Sequence, residues 1–287
     1  MTGATAGRLP VGGWIKFLII WMIIVYFPVA HWIWGRGFLQ KLGFVDFAGG
    51  TVVHIAAAFS GLAAILYLGK RQEHNKNNQA PSNMRLVGIG APFLMFGWFG
   101  FNAGGTLSAS DRAAIVIANT AVAMIIAMVV WTFIAYFKNN HHFSFTEPLV
   151  GEVAGLATIT PASGYVTPIP SILIGFLAAI ICYIAVQLAN KCNLDDALDV
   201  WGVHGIGGML GTILIGFLAD SIMNNIHAGL HQLLIQIFGA VLVAIYVMIV
   251  TWIILFILDK FTKIRTTSKQ QEEGLDKTLL NESYFNK

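Results

Sequence analysis

Charged side chains are scarce in this sequence: 11% of its 287 residues are Asp, Glu, Lys or Arg. Soluble domains carry about 25% and need those charges to cover a wetted surface. The shortage excludes a soluble enzyme, a disordered chain and a nucleic-acid module. The net charge of +3 is also too small to draw in a polyanion. Cysteine is nearly missing. Cys182 falls in an apolar run and Cys192 in a short polar loop, so no disulfide framework exists and both read as free thiols. The sequence has no HExxH, paired CxxC, GxSxG or Walker pattern, and His141 and His142 are adjacent, which prevents them from sharing a helix face. The expectation is a non-enzyme without metal or cofactor. Residues 1–13 lack the basic, apolar and cleavage-site order of a signal peptide.

Hydrophobic residues make up 56% of the chain, and the mean hydropathy is +0.72. A spanning helix needs about 20 apolar residues. The charge-free stretches predict an all-α polytopic membrane protein with eight transmembrane helices, at 14–34, 45–69, 86–108, 113–137, 147–163, 170–190, 199–219 and 230–258. Val153–Asn190 is long enough for two of them, and Pro161, Pro168 and Pro170 supply the break. Residues 1–258 form the membrane domain. The remainder, 259–287, holds 11 charged residues in 29 and reads as a tail that is at most loosely folded by itself.

Eight spans place both termini on one side. Fourteen of the 17 lysines and arginines fall on that side, Lys76 and Lys287 among them; Arg36, Lys41 and Arg112 fall on the other. The positive-inside rule then puts both termini in the cytoplasm. The Asn281-Glu282-Ser283 glycosylation pattern would face the cytosol and is discounted.

Ionisable groups inside a bilayer are costly and mark function. His54 falls near the bilayer centre by residue counting, and His204 lies roughly 8 Å into the hydrocarbon, five residues after Asp199. One such histidine alone is as readily a packing residue as a pore residue. Two in matching contexts are not. Asp46 and Asp199 each precede an aromatic residue and glycine, then the histidine, on helices that run in opposite directions. That is the pattern of inverted-topology repeats, whose substrate path lies at the repeat interface. Both aspartates are expected to cap their helices. Trp34 and Phe101 collect at the outer mouth, where aromatic faces attract small cations. Trp98 reads instead as part of an interfacial aromatic belt. Glu152 sits one turn into the fifth helix and is expected to face protein or an inner vestibule.

The segments YFPVAHWIWG (26–35), DFAGGTVVHI (46–55), GWFGFNAGG (97–105), TPASGYV (160–166), DDALDVWGVHGIGG (195–208) and EEGLD (272–276) resemble motifs of the ammonium transporter family, which includes the Rh proteins. The resemblance implies a fold of eleven helices in an inverted repeat, of which the eight here correspond to the last eight. It also implies a homotrimer in the plasma (inner) membrane with a cytoplasmic C-terminus. Ammonium would bind at an outer vestibule, lose its proton, and cross as ammonia through a hydrophobic pore lined by two histidines. Carried over by motif, the pore histidines are His54 and His204, the gate phenylalanine is Phe101 and the recruitment tryptophan is Trp34. Asp46, Asn102, Thr160 and Asp199 support conduction. The resemblance also implies a PII-family signal protein as a partner at the cytosolic face.

Three departures from the family pattern stand out. The family's first three helices, with the other gate phenylalanine, have no counterpart. Gly105 stands where some members have a recruitment-site serine. The stretch 280–285 differs from the His-Gly-Glu-like tail of many members. The alternatives to transport are an ammonium-sensing membrane receptor, or a non-conducting fragment of a split or misannotated transporter.

Overall fold

The computed structural model describes residues 1–72, 81 and 83–282; Lys76, Ser283 and Lys287 lie outside them. Among the described residues the ordered structure is helical, with no strand. The first long helix, α1, runs Val11–Trp21, loosens into a π-helical stretch at Met22–Tyr26 and continues over Phe27–Trp34. The second, α2, opens with a π-helical stretch at Gly50–Ile55 and continues as Ala56–Leu68. Then come α3 (Met84–Ala103), α4 (Asp111–Lys138), α5 (Thr146–Ile159) and α6 (Pro168–Lys191). The seventh, α7, opens π-helical at Trp201–Gly205 and continues as Ile206–Leu218, and α8 is Leu230–Thr262.

Seven helices among the described residues are long and apolar enough to cross a membrane. The eighth expected span, 147–163, is the exception. Its helix α5 stops at Ile159 after 14 residues, because Pro161 cannot continue the ladder. Residues 160–166 turn instead, through bonds from Ala162 N to Ile159 O and from Tyr165 N to Ala162 O.

Two of the four packing centres among the described residues show how the helices are held. One joins α1, α2 and α8 through Phe17, Val25, Ile55, Val247 and Leu255. Polar links stitch it: Trp21 Nε1 and Thr251 Oγ1 both donate to Ser60 Oγ at 2.8 Å. The other joins α4, α5 and α6 through small residues, Ala127, Ala154, Ala178 and Cys182, around Trp131. Small side chains let membrane helices approach closely. At Gly211 of α7 an added Cβ would collide with the Thr158 carbonyl oxygen of α5.

The expected domain boundary at 258 falls inside α8, which runs on to Thr262. The residues beyond it pack against the rest of the fold. Thr266 N donates to Arg8 O at 2.8 Å, and a short helix at Ser268–Glu273 is closed by a capping box from Thr267 and Gln270. Beside it Arg8, fully buried, pairs with Asp195 at 3.1 Å, and Arg71 Nε bonds the same carboxylate at 3.0 Å. Burial pushes the Asp195 carboxyl up, but the Arg71 and Arg8 guanidiniums outweigh it and hold it below the usual carboxylate range.

Candidate conduction site

The start of α2 is built on one carboxylate. Asp46 Oδ1 accepts from the backbone N–H of Gly49 (2.9 Å) and Gly50 (2.8 Å), and Oδ2 accepts from Thr51 (2.8 Å) and Val52 (3.0 Å). All four amide donors that a helix N-terminus leaves open are thereby satisfied. Gly49 sits at φ +111°, a left-handed conformation suited to glycine. Its carbonyl then accepts from both Val53 N (2.8 Å) and His54 N (3.0 Å), which widens the first turn and carries His54 on it. Such widened turns occur mostly at functional sites. Trp34 Nε1 donates to the Asp46 carbonyl at 2.7 Å, tying the mouth of α1 to this cap. Gln236, fully buried in α8, holds the preceding loop by accepting from Val45 N at 3.0 Å and donating to Val45 O at 2.8 Å.

The start of α7 repeats the device, and here the expected role of Asp199 is corrected. The capping carboxylate is Asp196, whose Oδ2 accepts from Trp201 N at 2.7 Å. Asp199 instead occupies the position of Gly49. It has φ +51°, and its carbonyl accepts from Val203 N at 2.8 Å, opening the widened turn that carries His204. In both halves the capping aspartate stands eight residues before the histidine and the left-handed residue five before it. Burial, then the nearby Asp196 and Glu147 charges, push the Asp199 carboxyl up to about 7. Burial also raises Asp196, against its backbone bonds to Trp201 and Val200.

The two widened turns bring the histidines together. His54 Nδ1 and His204 Nδ1 are 3.4 Å apart and the ring centroids 5.2 Å apart. Counting from Asp46 placed His54 deeper than His204. The helix proper begins at Gly50, not Asp46, so each histidine stands on the first turn of its helix. With neutral imidazoles one Nδ1 donates and the other accepts. His54 Nε2 is enclosed and has no partner in the protein.

Trp98 of α3, expected in an interfacial belt, belongs to this centre. It is 7% exposed, and its ring lies nearly parallel to both histidines, with centroids 5.2 Å from His54 and 6.1 Å from His204. Its Nε1 donates to Thr160 Oγ1 at 2.9 Å, and Thr160 in turn donates to Leu156 O at 2.7 Å. Phe101, one turn further along α3, has its centroid 6.0 Å from His54. Phe101 and Trp34 are each 42% exposed. Asn102 is fully buried. Its Nδ2 donates to Thr120 Oγ1 at 3.0 Å, while its Oδ1 has no partner in the protein. At Gly105 an added Cβ would come within 2.9 Å of the Phe47 ring and 3.0 Å of the Phe47 carbonyl oxygen.

Sequence reasoning missed Asp196 and Trp98. Asp196 carried a signal, the eight-residue spacing shared with Asp46 and His54. Trp98 carried none, because an inward and an interfacial tryptophan look alike in a run of aromatics. No group of three His, Cys, Asp or Glu side chains suited to a metal occurs among the described residues.

The chain matches the sequence profile of the Ammonium Transporter Family over residues 1–285. It is 42% identical to an ammonium transporter of Aquifex aeolicus, aligned over 100% of this chain and 68% of that protein. It is 40% identical to the ammonium transporter Amt1 of Archaeoglobus fulgidus, over 96% and 71%. Among solved structures, Candida albicans Mep2 superposes with a TM-score of 0.87 at 36% identity, covering 94% of this chain and 63% of that one. A structure described as a sensor Amt protein superposes with a TM-score of 0.88 at 30% identity, over 96% and 72%. The chain thus spans 63 to 72% of the length of these four relatives. By sequence and by fold, it belongs to the ammonium transporter family.

Proposed function

We propose that the chain carries ammonium across a membrane as neutral ammonia through the His54–His204 site. The observation that carries this reading is the facing pair of imidazoles, 3.4 Å apart, among aromatic and apolar residues. An ammonium ion taken bare into hydrocarbon is prohibitive, whereas ammonia is far cheaper to move. Ammonium arrives at the open aromatic rim of Trp34 and Phe101, where ring faces favour a cation. There it gives up its proton to a water molecule on the outer side, which becomes hydronium. Ammonia then passes the imidazoles, which offer it a donor and an acceptor in a path with little else that is polar. Potassium has no N–H donors and no proton to lose, so it is excluded. The protein is a multi-pass transporter and not an enzyme, assembled as a homotrimer in the plasma (inner) membrane with its C-terminus in the cytoplasm. A PII-family signal protein is the partner for that face.

The test is methylammonium uptake by proteoliposomes holding wild type, His54→Ala or His204→Ala. Wild type should take up substrate, and each variant should lose flux or lose selectivity over potassium. Equal uptake by all three would sink the proposal. The second reading is an ammonium-sensing receptor, favoured by the likeness to the sensor Amt protein. Saturable ammonium binding without flux in wild type would select it.

A further inference from the structure

Glu152 takes no part in the histidine pair and is 6% exposed on α5. Its Oε1 is enclosed and has no hydrogen-bond partner in the protein. Residues 152, 156 and 160 are four apart and share one side of the helix. The other two identify that side. Leu156 packs with Trp98, Met124 and Ala157, and Thr160 accepts the Trp98 indole N–H. Trp98 lies against both histidines. Glu152 is therefore carried on the wall that supports the pair, about 6 Å beyond Leu156 toward the lysine-rich face of the membrane.

An enclosed carboxylate oxygen without a partner is costly, and a cation bearing N–H donors removes much of that cost. We propose that Glu152 forms an ammonium-binding site on the inner limb of the path. The inference rests on the transport reading of the histidine pair. Ammonia leaving His204 takes a proton from a cytosolic hydronium ion, which becomes water. The resulting ammonium is held by N–H bonds to the Glu152 carboxylate before it leaves. No bond to the protein forms or breaks. A carboxylate at this point favours the charged product where it is made.

The experiment is an infrared difference spectrum, ammonium chloride minus sodium chloride, on the purified full chain, paired with methylammonium uptake. The variants are Glu152→Gln, Glu152→Asp and His54→Ala. The expected result is a carboxylate band change in wild type that Glu152→Gln loses, that Glu152→Asp keeps at a shifted frequency, and that His54→Ala leaves unchanged. Uptake by Glu152→Gln should fall about tenfold, the loss of one hydrogen bond to a charged group. The wild-type band persisting in Glu152→Gln overturns the site whatever the flux. If Glu152→Gln does not fold, an unshifted band in Glu152→Asp overturns it equally. A Glu152-dependent band in protein that carries no ammonium keeps the site and sinks the transport reading instead.

Discussion

The Nδ1 atoms of His54 and His204 lie 3.4 Å apart, although 150 residues separate them in the chain. Two copies of one local device, a capping aspartate, a left-handed residue and a widened first turn, meet from opposite directions. Neither ring needs a charged neighbour to be held. The backbone sets each ring, and Trp98 closes the side.

Coupling between the rings is the first expectation. Residues in direct contact act non-additively by about 0.5–3 kcal/mol. A double-mutant cycle on methylammonium uptake, with His54→Ala, His204→Ala and both together, should show the double variant little worse than the worse single one. Independent, additive losses would mean that the two rings do not work as one unit.

The caps should rank in a definite order. Asp46 accepts four backbone N–H groups; Asp196 accepts from Trp201 and Val200. Losing a cap costs about 0.5–2 kcal/mol, and bonds to a charged acceptor raise that. Asp46→Asn should therefore lower the unfolding temperature in detergent more than Asp196→Asn. Asp199→Asn should not lower it through loss of a cap. The reverse order would refute the assignment of Asp196 as the cap of α7.

Asp199 should give the protein a pH dependence near neutrality. Its folded carboxyl titrates at about 7, against about 3.9 in an unfolded chain. The folded state then binds more protons across that window. Stability is fully present below pH ~4 and falls as pH rises toward ~7, by at most about 1.4 kcal/mol per pH unit for one proton. Thermal unfolding between pH 5 and 8 should show this slope in wild type and a weaker one in Asp199→Asn. The same slope in both would place the titrating group elsewhere.

Much of this fold was legible because a bilayer demands long charge-free helices, and those stand out in the sequence. The histidines were legible for the same reason, as polar groups where polarity is costly. What stayed hidden depended on backbone conformation. Asp196 and Asp199 are three residues apart, both near the start of α7, and composition does not say which one caps. The positive φ of Asp199 decides it. The expected span 147–163 runs four residues past the end of α5, because it carries the helix through Pro161, where the ladder cannot continue.

Gly105 bears on how the outer rim recognises its substrate. A serine there would add a hydroxyl, which suggests tighter recruitment. The geometry argues the opposite, since its Cβ would stand 2.9 Å from the Phe47 ring and 3.0 Å from the Phe47 carbonyl. Phe47 is held in place: its N–H donates to Pro161 O at 3.0 Å, and its ring packs edge-on against Tyr165 at 5.7 Å. Overpacking of this kind costs about 1–3 kcal/mol. Gly105→Ser should lower the unfolding temperature without lowering the methylammonium concentration for half-maximal uptake. A gain in apparent affinity at unchanged stability would mean that Phe47 yields and the hydroxyl joins the site.

The buried Asp195 cluster should matter more broken than absent. Removing one member of a buried ion pair typically costs about 3–5 kcal/mol, because the other charge is left without a partner, whereas replacing the pair with apolar groups is often near neutral. Asp195→Ala would strand Arg8, which is fully exposed to no solvent and has Nε and Nη1 already unpaired. Arg8→Met together with Asp195→Leu would remove both charges. The single variant should unfold at a clearly lower temperature than the double one. Acid should mimic the single variant. The depressed Asp195 carboxyl contributes stability above pH ~4, and that contribution is lost as pH falls through its folded value. The bonds from Thr266 to Gly7 and Arg8 lie beside this cluster, so protease cleavage within 264–275 should quicken in Asp195→Ala. If the double variant unfolds as early as the single one, the cluster acts through its hydrogen bonds rather than through its charges.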